Sequence, residues 1–189
     1  MMSEESRDNK EVKEIIERAK SGDSEAFTFI YNTYLTPIYR FIYFRVKQKD
    51  EAEDLTQAVF VKAWQALGTY QDQGHSFSAW LYRIARNTII DYWKKRKDII
   101  VEDVSTVSFD HGTDDALEDE VYTGQMMDLV REHMHHLSEE QQTILTLKFI
   151  NELTNTEIEE ITGKTQEAIR ALQYRALKAL KEQLATRAI

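Results

Sequence analysis

The chain has 189 residues, 42% of them apolar, and a formal net charge of −9, which suits one domain or two small ones with genuine cores. It contains no cysteine, and this excludes a disulfide framework, a thiolate zinc site and a catalytic thiol. The N-terminal MMSEESRDNKEVKE is too polar for a signal peptide, and no apolar run approaches the roughly 18 residues of a membrane span, so a cytoplasmic protein without membrane insertion is expected.

Apolar positions at three- and four-residue spacing predict helices over residues 10–20 and 24–46, with Ser21, Gly22 and Asp23 as punctuation. Pro37, the only proline, is expected to open or kink a helix. A third helix, over residues 50–67, places Leu55, Val59, Phe60, Ala63, Trp64 and Leu67 inward. Its outward face carries Asp54, Gln57, Ala58, Val61, Lys62 and Gln65. A loop over residues 68–75, with two glycines, leads to Ser76, a candidate helix cap.

The next stretch, SFSAWLYRIARNTIIDYWKKRK over residues 76–97, is the most informative of the chain. As a helix it aligns Leu81, Ile84, Ala85, Thr88, Ile89 and Tyr92 in one stripe. The opposite face carries Arg83, Arg86, Asn87, Ile90, Lys94 and Lys95, flanked by Tyr82 and Trp93. Residues 78–97 hold six cations and one anion, whereas residues 98–140 hold one cation and 13 anions. Exposed charges are screened beyond about 10 Å, so a nucleic acid feels the local island and not the net charge. Cations interleaved with exposed aromatics suit a phosphate backbone and unpaired bases. A solvated face whose aromatics pack inward is the plainer reading of the same pattern.

From Asp98 to Thr123 the helical period fades, and Asp, Glu, Ser and Thr accumulate. Such a segment reads as a flexible acidic tether between two domains. An alternative is that it mimics nucleic acid or folds back onto the basic faces. Beyond it, residues 125–136 and 138–151 read as two helices, with Ser138 and Gln141 forming a capping box. Thr154 and Glu157 form another, opening a short helix that turns Ile158 and Ile161 inward. Gly163 then marks a tight turn, and a longer helix follows with Ala168, Ile169, Leu172, Ala176, Leu177 and Leu180 as its apolar positions. Helix, glycine-bearing turn and basic helix make a helix-turn-helix, whose second helix presents Thr165, Gln166, Arg170, Gln173, Tyr174 and Lys178. The fold class is therefore all-α: a domain over residues 1–97, a linker over 98–123 and a helix-turn-helix domain over 124–189.

No catalytic constellation emerges. His133, His135 and His136, near Glu132, Glu139 and Glu140, lack the HExxH spacing of a metal site. There is no glycine-rich phosphate loop and no nucleophile elbow, so no cofactor, metal or enzymatic activity is expected.

Three segments in this order resemble the extracytoplasmic-function (ECF) sigma factors, the smallest group of the bacterial sigma-70 family. DEAEDLTQAVFVKAWQAL is similar to the family helix that docks on core RNA polymerase. FSAWLYRIARNTIIDYWKKRK is similar to the segment that opens and reads the −10 element. LSEEQQTILTLKFINELTNTEIEEITGKTQEAIRALQYRALKAL is similar to the domain that reads the −35 element. The resemblance spans residues 14–184 and implies core polymerase, promoter DNA and an anti-sigma factor as partners.

Carried onto this chain, the resemblance assigns polymerase docking to Asp54, Gln57, Ala58 and Val61. Ala58 stands where the family commonly has Glu, which removes one anion from that contact. For the −10 element it implies Tyr70, Gln71 and His75 in the loop, and Tyr82, Arg83, Arg86, Asn87, Lys94 and Lys95 on the helix. For the −35 element it implies Thr165, Gln166, Arg170, Gln173, Tyr174, Arg175 and Lys178, with Leu172 and Leu177 where relatives are often basic. A stand-alone helix-turn-helix regulator is the alternative, but it leaves the basic aromatic helix without a task.

Overall fold

In a computed structural model, residues 4–46, 48–72, 75–102, 127 and 129–187 are described, and among them the chain is helical without strands. Helix α1 spans Glu4–Lys20 and α2 spans Ser24–Tyr43. The turn between them is fixed by Asp23, whose carboxylate caps α2 by accepting from the backbone N–H groups of Glu25 and Ala26 at 3.0 and 3.1 Å. Pro37 neither opens nor ends α2; it lies inside an uninterrupted helix. Helix α3 covers Lys49–Ala66, runs into a 3₁₀ turn at Leu67–Thr69, and is followed by α4, Phe77–Glu102. Ser76 caps α4 as expected, its hydroxyl accepting from Ala79 N–H at 3.2 Å.

Helix α4 runs four residues past Asp98, where the tether was expected to begin. The Asp98–Glu102 segment retains apolar residues at 99–101 and has no Gly or Pro to stop the helix. Residues 103–126, which include most of the expected linker, lie outside the described residues.

The second domain begins in a helical stretch over residues 129–134, followed by α5, Glu139–Leu145. The helix expected to continue to Asn151 changes pitch instead, into a π-helical turn at Thr146–Ile150 closed by Asn151 N–H donating to Thr146 O. Helix α6 is Asn155–Thr162 and α7 is Gln166–Arg187. Both predicted capping boxes form, at Ser138/Gln141 and Thr154/Glu157. Gly163 ends α6 in the left-handed region at φ 69°, a conformation that a side chain would strain, and this makes the turn into α7 tight.

Ile16, Ile30, Ile38, Phe41, Ile42, Val59, Phe60, Leu81, Ala85 and Ile89 form the core of the first domain. In the second domain Ile144, Leu147, Ile158, Ile161, Ile169 and Leu172 are buried in the same continuous cluster. A smaller cluster packs Phe44, at the end of α2, among Met134, Leu137, Leu145 and Ala176. The two domains therefore share apolar surface as well as being joined in sequence.

Candidate nucleic-acid interface

On α3, one face buries Ala52, Thr56, Val59, Phe60 and Ala63. The polar positions Asp54 and Gln57 face outward, with Ala58 half-buried and Val61 55% exposed beside them. Trp64, expected inward, is instead 43% exposed and meets Phe27 edge-on at 4.6 Å. It lies one turn beyond Phe60 and drifts off the buried stripe, so it covers the edge of the core. Gln57 also lines a groove between α2 and α3 with Tyr31, Leu35, Tyr39 and Glu53.

Helix α4 buries Leu81, Ala85, Thr88 and Ile89, so the predicted stripe is inward, with Ile84 and Tyr92 half-buried at its margins. Asn87, Lys94 and Lys95 are exposed, while Arg83 and Arg86 are half-buried. Farther along, Arg96 donates to Glu51 Oε1 at 2.5 Å and to the Tyr92 hydroxyl at 2.6 Å, tying α4 to the start of α3. Lys62 crosses from α3 to Thr88 Oγ1 at 3.1 Å and Asp91 at 3.7 Å. Both contacts tie the edges of the basic face to α3.

Two aromatic assignments need correction. Tyr82 is 3% exposed and packs edge-on to Phe41, and Tyr70 is packed against both Phe77 and Trp80. Burial pushes the phenols of both above their ordinary range. Neither ring is placed to stack an unpaired base. Aromatic rings carry much apolar area, and in a domain this small they are drawn into the core. Of the loop candidates, Gln71 and His75 are exposed, and Tyr70 reaches back to His75 O at 3.5 Å.

In the helix-turn-helix, Ile169, Leu172 and Ala176 are the buried positions of α7. Ala168 and Leu177, expected inward, lie on the solvent side, Leu177 at 46% exposure. The geometric reason is the narrow contact: α6 and α5 cover one stripe of α7 and leave positions a third of a turn away uncovered. Thr165, Arg170, Arg175 and Lys178 are exposed, Gln166 is half-buried and Tyr174 is 71% exposed. Gln173 is half-buried and donates to Asn155 Oδ1 at 3.2 Å. Lys164, in the turn, pairs with Glu140 at 2.6 Å and holds its carboxyl below the usual range.

Periodicity gave no sign of the residues where the domains meet. Arg45 is 1% exposed; its guanidinium donates to Thr143 Oγ1 at 2.6 Å and lies 4.0 Å from Glu139. Burial pushes it down to about 10, with Glu139 opposing and Arg86 adding to the shift. Arg131 stands over the Tyr43 ring at 4.2 Å, and Asn151 Nδ2 donates to Pro37 O at 2.8 Å. Arg83 donates through both Nε and Nη2 to Glu160 O, while the Glu160 carboxylate accepts from Ser76 N–H and is 3.1 Å from its hydroxyl. A cleft of about 280 Å³ lies here, lined by Arg83, Arg86, Asn87, Ile161, Thr162 and Gly163.

Comparison with known proteins agrees with these two helical units. The sigma-70 region 2 profile matches residues 30–99, and the sigma-70 region 4 profile matches residues 133–182. The chain is 35% identical to the ECF RNA polymerase sigma factor BldN of Streptomyces coelicolor over 92% of its own length and 66% of BldN's. It is 31% identical to the ECF RNA polymerase sigma factor SigW of Bacillus subtilis over 92% of this chain and 96% of that one. Among solved structures, CnrH in complex with the cytosolic domain of CnrY shares the fold, with a TM-score of 0.68, 20% identity, and coverage of 91% of this chain and 96% of that one. A fold defined by a region 2 helical domain and a region 4 helix-turn-helix is that of a sigma factor. The chain belongs to the ECF RNA polymerase sigma factors of the sigma-70 family.

Proposed function

We propose that this chain acts in the cytoplasm, docks on core RNA polymerase through α3 and directs it to promoters through two DNA-binding faces. The observation that carries the reading is the placement of two basic faces on separate domains of a sigma-factor fold: α4 with Arg83, Arg86, Asn87, Lys94 and Lys95, and α7 with Arg170, Tyr174, Arg175 and Lys178.

Region 4 positions the complex on −35 duplex by phosphate and major-groove contacts from α7, whose N-terminal residues Thr165 and Gln166 open the helix. Region 2 holds the opened −10 element through Arg86, Asn87 and the exposed loop residues Gln71 and His75. Cationic contacts to an unpaired strand offset an unstacking cost of a few kcal/mol. Neither domain needs high affinity by itself, because tethering to one polymerase makes the second contact intramolecular. Asp54, Gln57 and Val61 form the docking face, and Ala58 leaves it one carboxylate short of the common family pattern. The chain itself makes and breaks no bond.

An anti-sigma factor is the third partner we assign. The solved structures of CnrH and of a Bartonella quintana RpoE, both similar in fold, are complexes with CnrY and with the anti-sigma factor NepR, respectively. Run-off transcription with purified core polymerase and fragments from the chain's own genome tests the central reading. Promoter-specific transcripts are expected only when the protein is added. Core that gains none favours a stand-alone helix-turn-helix regulator.

A further inference from the structure

Helix α1 carries none of the residues assigned to polymerase or DNA, and it lies ahead of the residues that match region 2. It is nevertheless fixed to the first domain: Ile16 and Ala19 are buried in the core, with Val12 and Ile15 packed against it. Arg18 pairs with Asp23 at 2.7 Å and Lys20 with Glu17 at 2.8 Å, each with a near neighbour in the chain. Lys13 instead reaches across to Asp72 at 2.8 Å, in the loop between α3 and α4. Ile16 lies one turn along the same face of α1, so the buried stripe fixes where the Lys13 stem leaves the helix.

That loop is held at both ends by one aromatic cluster. Tyr70 enters it and Phe77 leaves it, and their rings meet edge-on at 5.3 Å. Trp80 lies 5.2 Å from each of them, and Tyr34 of α2 stands 5.6 Å from Phe77. The Tyr70 hydroxyl donates back across the loop to His75 O at 3.5 Å. Burial raises the Tyr70 phenol first, and the nearby Asp72, Tyr34 and Glu17 add to the shift, so α1, α2 and the loop converge on this ring. A loop clasped at its ends keeps freedom between them, and Lys13 takes hold of it there.

Gln71 and His75 are exposed on either side of Asp72 in the chain. Their amide and imidazole groups can donate and accept, which is what reading the edge of an unpaired base requires. Such groups discriminate between bases only when they meet the edge at a fixed place. A loop that wanders presents the same groups to several bases in turn.

We propose that α1 braces the −10 loop: Lys13, by holding Asp72, is a positioning residue that sets which base of the opened strand Gln71 and His75 accept. This rests on the assignment of that loop to the −10 element. Both side chains of the pair are largely exposed, at 59% and 43%, so the pair adds little to stability and its effect is local. An exposed ion pair changes an equilibrium by up to about fivefold, which bounds the discrimination it supplies. Charge offers a competing account, because Lys13 also offsets an anion beside a phosphate strand. That effect alters affinity for every base alike, whereas a brace alters the ratio between bases.

The test is holoenzyme binding to fork-junction fragments of a promoter that the holoenzyme transcribes, with each unpaired −10 base varied in turn. Lys13→Glu and Asp72→Lys should each reduce the preference for the native base at one position by about two- to fivefold. Combining them re-forms the pair with reversed polarity and should restore the preference. Lys13→Arg keeps the pair and should match the unmodified chain. Circular dichroism and thermal unfolding are expected to be unchanged in all four variants, since both positions lie on the surface.

Undiminished preference in either single charge reversal overturns the brace, and so does a loss that the double variant fails to restore. Gln71→Ala with His75→Ala separates these outcomes from failure of the loop assignment. If that variant changes the preference at one position while the Lys13 and Asp72 variants leave it intact, the brace alone falls. If it leaves the preference intact at every −10 position, the loop is misassigned and the brace falls with it.

Discussion

The Arg45 guanidinium and the Thr143 hydroxyl meet at 2.6 Å across the domain boundary, although 98 positions separate them in the chain. Arg45 is buried, while its nearest carboxylate, on Glu139, remains 53% exposed. Replacing Arg45 with Met keeps most of the bulk, removes the desolvated charge and leaves Glu139 free to be hydrated. Such replacements are neutral or stabilising by about 1–4 kcal/mol in other buried ion pairs. Thr143→Val does the reverse, stranding the guanidinium at a cost of about 1–3 kcal/mol. Amide hydrogen exchange at residues 44–46 is expected to slow or hold steady in the Met variant and to accelerate in the Val variant. Acceleration in both would mean that the charge itself holds the domains together.

Tyr82 supplies a second prediction because its role has moved from DNA contact to core. Tyr82→Ala is expected to lower unfolding free energy by about 3–5 kcal/mol, as large aromatic truncations do, whereas Arg86→Ala should stay within about 0.5 kcal/mol. The phenol also gives a pH signature. Burial raises its folded value above the ordinary 10.0, so the stabilising neutral form is fully present below pH 10 and its contribution is lost as pH rises through the raised value. Tyr82→Phe should remove that alkaline component from a denaturation series. Wild-type and Phe curves that superpose from pH 8 upward would count against it.

The helical domains and the helix-turn-helix were legible because they rest on local signals. Capping residues at Ser76, Ser138 and Thr154, the apolar stripe from Leu81 to Ile89, and Gly163 at the turn all act within a few residues of themselves. Trp64, Leu177 and Tyr82 were misplaced for one shared reason. A period specifies a face, but the width of the buried part of that face depends on what packs there. The π turn at Thr146–Ile150 and the interface were not legible. Asn151 reaching Pro37 and Arg83 reaching Glu160 are tertiary outcomes, and no spacing within either segment encodes its partner.

Docking on polymerase is predicted to depend on the exposed polar positions of α3. Asp54 and Gln57 point away from the core, so changing them should leave the helix intact. Asp54→Lys combined with Gln57→Ala is expected to weaken binding to core enzyme, with the larger share of the loss at low salt, where a reversed charge is least screened. Titration of labelled protein with core at two ionic strengths measures it, with circular dichroism as the control for folding. Unchanged affinity would place the docking face elsewhere on the domain.

The division of labour between the two basic helices gives the last prediction. Arg170 and Arg175 lie on the exposed side of α7 and should act on closed, double-stranded promoter DNA. Replacing either with Ala should cost roughly 1–3 kcal/mol if it reads a base edge, and less if it meets only phosphate. Arg86 and Asn87 lie on α4 and should act on the strand after it opens. Their loss should be rescued in part by a template whose −10 region is already mismatched, because that template no longer demands unstacking. Loss of Arg170 should gain much less from premelting, since its contact is made to duplex in either case. Permanganate footprinting of unpaired thymines on matched and premelted templates distinguishes the two classes. Equal rescue of both would show that the two helices do not divide the promoter in this way, even in a chain of sigma-factor fold.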